Sequence, residues 1–501
     1  MARLKINGIE VEVPEGATLL ETAQQTGIDI PTLCYTKKTG AMTSCMICVV
    51  KDCASGRMLP SCSAKALDGM AIDTDGEEVR AARREILRLL LSEHVGDCEA
   101  PCARICPASL DIPRMLRLVA SGDLEAAARL AKHDLIFPAT LGHVCTAPCE
   151  KGCRRARYDL PVAIRAAHRE VGGELFPAYP VSRDTRVTAT GKTVAIVGAG
   201  MAGLSAAWVC LQYGYACRIY EKHATACASF HARFSEQLPQ EILDAEIESI
   251  RKLDAEFEFG CEIGAEISIE SLVEKFDAVI LTCDLAVPPK GGTPNGIFSA
   301  HEDHMPVRSV AHGKAAARRA DAYLRGLPDD AALKPFNAQI GKLRPEELEA
   351  YAVERLTRNE KSSADAKDAD QEIGVPGEAA RCLQCDCRKP VSCKLRQYAQ
   401  EYGIGLHVRR DMERLPVEPM QRFDDVLFEP GKCIKCGICV EITRTARVHD
   451  LGMTFMGRGL DARVRVPFGE DLARGLGEAA RECVRACPTG ALAFRNGEET
   501  V

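Results

Sequence analysis

The sequence has no excess of positive charge: 64 Lys and Arg stand against 71 Asp and Glu, a net charge of −7. That balance argues against a nucleic-acid partner, which usually needs a basic face. Long hydrophobic runs are also missing. The most apolar stretch, Val194 to Cys210, is interrupted by Gly198, Gly200 and Gly203 and does not read as a membrane span. The opening residues, Met1 to Lys5, are not followed by the apolar core of an export signal. Aromatic residues are scarce, 5% of the chain with a single Trp, yet apolar residues reach 46%. A wholly disordered or collagen-like chain is thereby excluded. The length of 501 residues suits roughly three or four domains of ~150 residues.

What the sequence has in quantity is cysteine, 25 in all. Disulfide scaffolds are usually short and exported, whereas this chain is long and its cysteines bunch at CxxC and CxxxC spacings. The expectation is a cytoplasmic metalloprotein. Zinc shares some of these spacings, but their variety favours iron–sulfur clusters.

Cys34, Cys45, Cys48 and Cys62 stand ten, two and thirteen residues apart. A loop carrying the first three thiolates can wrap a 2Fe–2S cluster while the fourth arrives from a later segment. Cys53 is off-pattern. Residues 77–94 read as an amphipathic helix with Val79, Ile86, Leu87, Leu90 and Leu91 on one face. From Ile30 to His94 the stretch resembles the N-terminal ferredoxin domain of the large electron-input subunit of respiratory complex I and of iron hydrogenases. The resemblance covers residues 1–94 and implies a β-grasp fold.

Two further groups follow. His94, Cys98, Cys102 and Cys106 precede Cys145, Cys149 and Cys153, with Phe137 to Ala139 and Gly142 to Val144 between them. This region resembles the helical two-cluster domain of the glutamate synthase small subunit and of dihydropyrimidine dehydrogenase. The resemblance implies two 4Fe–4S clusters with interleaved ligands, Cys102 and Cys153 on one and Cys106, Cys145 and Cys149 on the other. The family's first CxxC pair is missing here. His94 and Cys98 are expected to complete the first cluster, and His168 falls where the family places a non-cysteine ligand for the second.

The run Lys192 to Val197 reads as a buried strand, followed by Gly198, Gly200 and Gly203 as GxGxxG, a helix, and a second strand ending in Glu221. The glycines allow a tight turn and close approach of a pyrophosphate to the helix N-terminus, and the acid can accept from a ribose hydroxyl. The unit resembles the flavin half of the glutamate synthase small subunit, which implies one bound FAD. Landmarks at Phe276 to Leu281 and Gly296 to Phe298, before a helix from Gly313 to Leu324, agree with it. That family inserts an NAD(P)H-binding domain between Leu281 and Gly296, where this chain has about fifteen residues. Three flavin landmarks are altered, to Ala226–Cys227–Ala228, to Thr282–Cys283–Asp284, and to His301–Glu302 with Asp303 beside it.

Residues 361–370 read as a charged linker. Cys382, Cys385, Cys387 and Cys393 fall within twelve residues and can close round one centre, a 4Fe–4S cluster or a structural zinc. The last part resembles a two-cluster bacterial ferredoxin. Cys433, Cys436 and Cys439 are the first three ligands of its first run, with Thr443 in the fourth position. Of the second run only Cys483 and Cys487 remain, Gly477 and Ala480 standing where cysteines are expected. Ligands cross over between runs in this family, so Cys487 would join Cys433, Cys436 and Cys439, and the second cluster would be lost.

The expected order is a 2Fe–2S ferredoxin domain at 1–78, a helical two-cluster domain at 79–180, and a truncated FAD-binding Rossmann domain at 181–326. A linker and cluster segment at 327–415 and a ferredoxin-like domain at 416–501 follow. One 2Fe–2S cluster, up to four 4Fe–4S clusters and one FAD point to an electron-transfer subunit of a larger oxidoreductase. Its partners would be a nucleotide-oxidising flavoprotein and a terminal catalytic subunit such as a hydrogenase, a formate dehydrogenase or an aromatic-CoA reductase. The alternatives are a stand-alone NAD(P)H-dependent flavoprotein reductase of the glutamate synthase small-subunit type, and a scaffold with structural clusters.

Overall fold

The computed structural model describes residues 1–174, 188–282, 296–328, 335–349, 351–352, 374–405, 414–446 and 451–497. The stretch 361–370 and the pair Cys283 and Asp284 lie outside the described residues. The chain forms two compact units, each discontinuous in sequence. The first comprises Met1–Glu99, Pro335–Tyr351 and Cys385–Val501; the second comprises Ala100–Lys334 and Ala352–Gln384. The second unit's residues thus interrupt the first unit's chain. This differs from a serial string of domains, and the reach of the helix expected at 77–94 shows why. It runs from Glu77 to Ser92 and stays in the first unit. Its Arg83, buried to 2%, donates to the Val49 carbonyl at 2.9 Å and the Tyr402 hydroxyl at 2.9 Å. A buried guanidinium needs those partners, so the helix joins the N-terminal and C-terminal segments.

In the first unit, Ala2–Ile6 alternates buried and exposed residues, as a half-buried strand should. It pairs antiparallel with Ile9–Val13 and parallel with Ala71–Asp73, and the sheet continues through Val49–Asp52 to Met58–Pro60. The helix Leu19–Gln25 starts with a capping box in which Thr18 and Glu21 satisfy each other's backbone N–H. The opening of this helix holds the segment around Cys62, because the Leu20 N–H donates to Ser61 and the Leu19 N–H to Ala64, both at 2.9 Å. Toward the C-terminus, Gln421–Phe423, Val426–Phe428 and Leu492–Phe494 form a small antiparallel sheet. The helices Ile438–Thr445 and Ala480–Ala486 pack beside it.

The second unit begins with short helices, several with proline in the first turn: Pro101–Ile105, Ile112–Ala120, Pro138–Val144 and Pro148–Lys151. Because these helices are so short, their ends place cysteines. Cys106 caps the first and Cys145 the third, while Cys149 lies in the opening turn of the fourth. A five-stranded parallel sheet follows in the order Glu256–Phe259, Ala216–Glu221, Thr193–Val197, Ala278–Leu281, Ile297–Ser299. The helix Met201–Gln212 packs against Pro306–Leu324, which begins about two turns before the expected Gly313. A Cβ at Gly313 would lie 2.1 Å from the Ala202 carbonyl oxygen, so glycine is what lets these two backbones meet.

Candidate metal centres and the glycine cradle

Cys34, Cys45, Cys48 and Cys62 are all buried and act on one another. A hydrogen bond from Cys45 favours thiolate at Cys34, and one from Cys62 favours thiolate at Cys48. The same contacts, with burial, push Cys45 and Cys62 upward. The Cys45 N–H also donates to the Cys34 sulfur at 3.4 Å. Cys53 is exposed and apart from this group.

Cys433, Cys436, Cys439 and Cys487 line a single apolar cavity with Phe428, Val464 and Pro488. Burial, followed by the charges of neighbouring thiols, raises Cys433 to about 12 and lifts Cys436 and Cys439 further. The Lys435 N–H donates to the Cys433 sulfur at 3.4 Å. Cys483 is fully buried yet is not among the cavity's lining residues, its sulfur lying 4.0 Å from the Cys439 carbonyl oxygen. Thr443 faces its own backbone, donating to Cys439 at 2.9 Å.

The two units divide the other cysteines along different lines from the expected sets. His94, Cys98, Cys387 and Cys393 fall together in the first unit, while Cys102, Cys153 and Cys382 belong to the second. The expected sets of His94, Cys98, Cys102 and Cys153, and of Cys382, Cys385, Cys387 and Cys393, are therefore both divided. The Cys387 N–H donates to the Cys98 carbonyl at 3.1 Å. Cys393 is pushed up to about 12 by burial, then by the charges of Cys387, Cys98 and Cys487. The Cys98 sulfur accepts from the Ala338 N–H at 3.4 Å, and the Cys387 sulfur from the Lys389 N–H at 3.5 Å. Among the described residues His94 Nδ1 is buried without a hydrogen-bond partner, and burial lowers the ring's pKa to about 4. A neutral imidazole with an unsatisfied nitrogen suits a metal ligand. Gly490 leaves room here, since a Cβ there would lie 2.2 Å from the Cys387 sulfur.

In the second unit, Cys106, Cys145, Cys149 and His168 line one cavity with Leu110, Ile112 and Leu141. Burial leads in raising all three thiols. His168 is 4% exposed and its pKa is lowered by burial to about 4. Its Nδ1 lies 2.9 Å from the Pro138 carbonyl oxygen, so Nδ1 carries the proton and Nε2 keeps its lone pair. Cys102 and Cys153 are set by the packing of Pro101–Ile105 against Pro148–Lys151. Gly152, next to Cys153, fits there because a Cβ would meet Ile105 at 2.3 Å. Cys382 reaches the same part of the unit. Arg155, two residues past Cys153, donates to the Arg381 carbonyl at 2.5 Å, and Arg381 donates to the Leu160 carbonyl at 2.9 Å. Cys385 follows Cys382 at CxxC spacing. Among the described residues no three His, Cys, Asp or Glu side chains converge on one ion-sized point. Ligands of a multi-iron cluster stand farther apart than those of a single ion.

The glycine cradle lies at the end of Thr193–Val197. Gly198 has φ +103, and a Cβ at Gly203 would lie 1.9 Å from the Gly198 carbonyl oxygen. A cavity of about 650 Å³ opens beside it, lined by Gly198, Gly200, Tyr220, Glu221, Arg233 and Glu302 among others. Glu221 turns back on the cradle, accepting from the Ala199 N–H at 2.7 Å and the His223 N–H at 2.9 Å. Glu302 accepts from the Ala202 N–H at 2.7 Å.

Comparison with known proteins gives three of these regions a counterpart. Residues 1–77 match a 2Fe-2S iron-sulfur cluster binding domain. Residues 82–175 match dihydropyrimidine dehydrogenase domain II, 4Fe-4S cluster, and residues 196–251 an NAD(P)-binding Rossmann-like domain. The chain is a multidomain iron–sulfur fusion, mixed α+β with a parallel sheet. Among its relatives, the NADP(+)-dependent formate dehydrogenase subunit beta of Moorella thermoacetica is 34% identical over 38% of this chain and 30% of its own length. The NADPH-Fe(3+) oxidoreductase subunit beta of Geobacter sulfurreducens is 31% identical over 36% and 28%. The NAD-dependent dihydropyrimidine dehydrogenase subunit PreT of Salmonella typhimurium is 30% identical over 42% and 51%. The chain thus spans about half or less of the relatives it matches. No helix among the described residues is long and apolar enough to cross a membrane.

Proposed function

We propose that this chain is an electron-transfer subunit of a multi-subunit oxidoreductase, carrying electrons between a nucleotide- or ferredoxin-linked partner and a terminal catalytic subunit. The observation that carries this reading is the succession of thiol cages within the first unit. The Cys34 charge acts on Cys436, and Ser44, next to Cys45, donates to the Cys436 carbonyl at 3.2 Å. At the other side of that cage, the charge of Cys487 acts on Cys393. The 2Fe–2S cage, the Cys433 cage and the His94 cage are neighbours in that order, as a relay requires.

The ligand sets follow from these groupings. Cys34, Cys45, Cys48 and Cys62 hold the 2Fe–2S cluster. Cys433, Cys436, Cys439 and Cys487 hold one 4Fe–4S cluster, His94, Cys98, Cys387 and Cys393 a second, and Cys106, Cys145, Cys149 and His168 a third. Cys102, Cys153 and Cys382, all in the second unit, supply thiols for a fourth. Bound clusters supply one-electron carriage. The chain's own residues exclude water around the sulfurs and direct backbone N–H groups at them, both of which tune potential. Clusters are thereby expected on the chain itself, and turnover of NADH or NADPH only with a partner.

Two measurements test this. Anaerobically purified chain should give reducible cluster signals and no steady NAD(P)H oxidation; sustained turnover without a partner would overturn the reading. Cys387→Ser and His94→Ala should perturb the same electron paramagnetic resonance signal, and Cys382→Ser a different one. If Cys387→Ser and Cys382→Ser strike one signal together, the regrouping is wrong.

A further inference from the structure

The helix Met201–Gln212 presents its N-terminus to the large cavity, the place where a dinucleotide's pyrophosphate would be held by backbone N–H groups and the helix dipole. Two of the cradle's N–H groups are already spoken for. Ala199 donates to the Glu221 carboxylate and Ala202 to the Glu302 carboxylate, each at 2.7 Å. Glu302 also lies over Gly200, the glycine whose missing side chain should admit the phosphates. A Cβ on Gly200 would stand 2.4 Å from Glu302 Oε1 and 3.0 Å from its carboxyl carbon. The space that the motif keeps clear of side chain is therefore taken by a side chain from elsewhere in the fold. Glu302 is solvent-accessible as a residue, on the wall of the cavity, but its carboxylate is the one seated at the helix terminus.

We infer that Glu302 is a resident anion that closes the glycine cradle to a dinucleotide pyrophosphate, so that this Rossmann unit holds neither FAD nor a pyridine dinucleotide with appreciable affinity. A pyrophosphate entering the cradle would lose the Ala202 donor to an existing charge-assisted hydrogen bond. It would also come against two carboxylates, Glu221 and Glu302, of its own sign. Glu262 and Asp303 also line the cavity, against Lys222 and Arg233, so carboxylates outnumber cations on its wall, and Glu302 is the one placed at the helix terminus. The backbone round Glu302 supports its position. The Asp303 N–H is 2.8 Å from the Ser309 hydroxyl, and the Asp303 carboxylate accepts from the Met305 N–H at 2.8 Å, fixing the turn from which Glu302 projects. The inference concerns the cradle alone and stands or falls apart from the electron-transfer reading.

The test uses the full chain purified anaerobically with its clusters, as wild type, Glu302→Gly and Glu302→Ala. Flavin content is measured on the purified proteins, and FAD and ADP-ribose are each titrated by calorimetry; cluster absorbance reports that the fold is intact. Wild type should carry no stoichiometric flavin, and both variants should bind FAD and ADP-ribose at least about tenfold more tightly. Stoichiometric flavin in the wild type would overturn the inference. So would equal or weaker binding by the variants, which would place the obstruction elsewhere or make Glu302 a cofactor ligand. A gain in Glu302→Gly without one in Glu302→Ala would trace the effect to a loosened backbone and overturn it too.

Discussion

The thiol cages and the glycine cradle are both built to hold a group, but they differ in how their own atoms are satisfied. In the cages, buried sulfurs face one another with too few counter-charges. Cys433 and Cys393 are each pushed up to about 12 by burial and by neighbouring thiols, a cost that bound iron removes. In the cradle, two backbone donors are matched by Glu221 and Glu302 within the chain. A site whose polar groups depend on a ligand announces that ligand; a site whose groups are satisfied internally keeps only the fold of its ancestry. The motif in sequence does not separate these cases, because satisfaction is decided by residues far along the chain.

Iron removal should produce the largest effect, since it acts on the cages and leaves the cradle untouched. Filled ligand sets bring iron to about eighteen per chain, by ligand counting for four 4Fe–4S clusters and one 2Fe–2S cluster. Chelation under oxidising conditions should sharply lower the unfolding temperature, because metal-binding free energy is folding free energy when ligands are buried. An assay near eight irons would mean that half the cages do not bind clusters. An unchanged melting curve after chelation would mean that the thiol cages do not depend on bound metal.

Next comes the C-terminal pair. Cys487→Ser should remove or destabilise one 4Fe–4S signal, whereas Cys483→Ser should leave every cluster signal in place, since Cys487 lines the cavity and Cys483 does not. Electron paramagnetic resonance of the two variants decides it, and loss of a cluster only in the Cys483 variant would reverse the assignment. On the cradle side the opposite pattern is expected. Gly203→Ala should cost about 1–3 kcal/mol of stability through the clash with the Gly198 carbonyl, with iron content unchanged. A variant as stable as wild type in urea denaturation would mean that the cradle is not tightly packed.

The thiol groups most visible in the sequence lie close together along the chain or follow a crossover rule. Cys34, Cys45, Cys48 and Cys62 come within one short domain, and the Cys433 run carries its own CxxCxxC spacing. The parallel sheet was legible because β-branched runs and GxGxxG fix a strand–turn–helix locally. The proposed grouping of His94 and Cys98 with Cys387 and Cys393 is not visible in the sequence because the whole second unit intervenes before Cys387 and Cys393. The available signal was that neither segment is complete by itself: His94 and Cys98 lack partners locally, and Cys387–Cys393 has a spacing unlike that of Cys382–Cys385. Glu302 was read as the loss of a permissive landmark. Its effect comes from reach, a carboxylate long enough to meet Ala202, and that distance is set by how Pro306–Leu324 packs on Met201–Gln212.

The smallest expected effect lies beside a cage without being part of it. Thr18 caps the helix Leu19–Gln25 and closes a reciprocal pair with Glu21, whose carboxyl is held below its usual range by the Thr18 backbone and side chain. The same turn receives the segment that carries Cys62, through Leu20 to Ser61 and Leu19 to Ala64. Thr18→Ala removes the side-chain half of the box and leaves those backbone bonds. The cost should be about 1 kcal/mol, as for other lost N-caps. Because Cys62 is held by backbone rather than by the cap, the 2Fe–2S signal should keep its shape and intensity. Comparing urea midpoints with the resonance spectrum of the same preparation separates the two contributions. A changed spectrum at so small a loss of stability would show that the cage depends on the helix cap, and that fold and metal site are less separable in this domain than its hydrogen bonds imply.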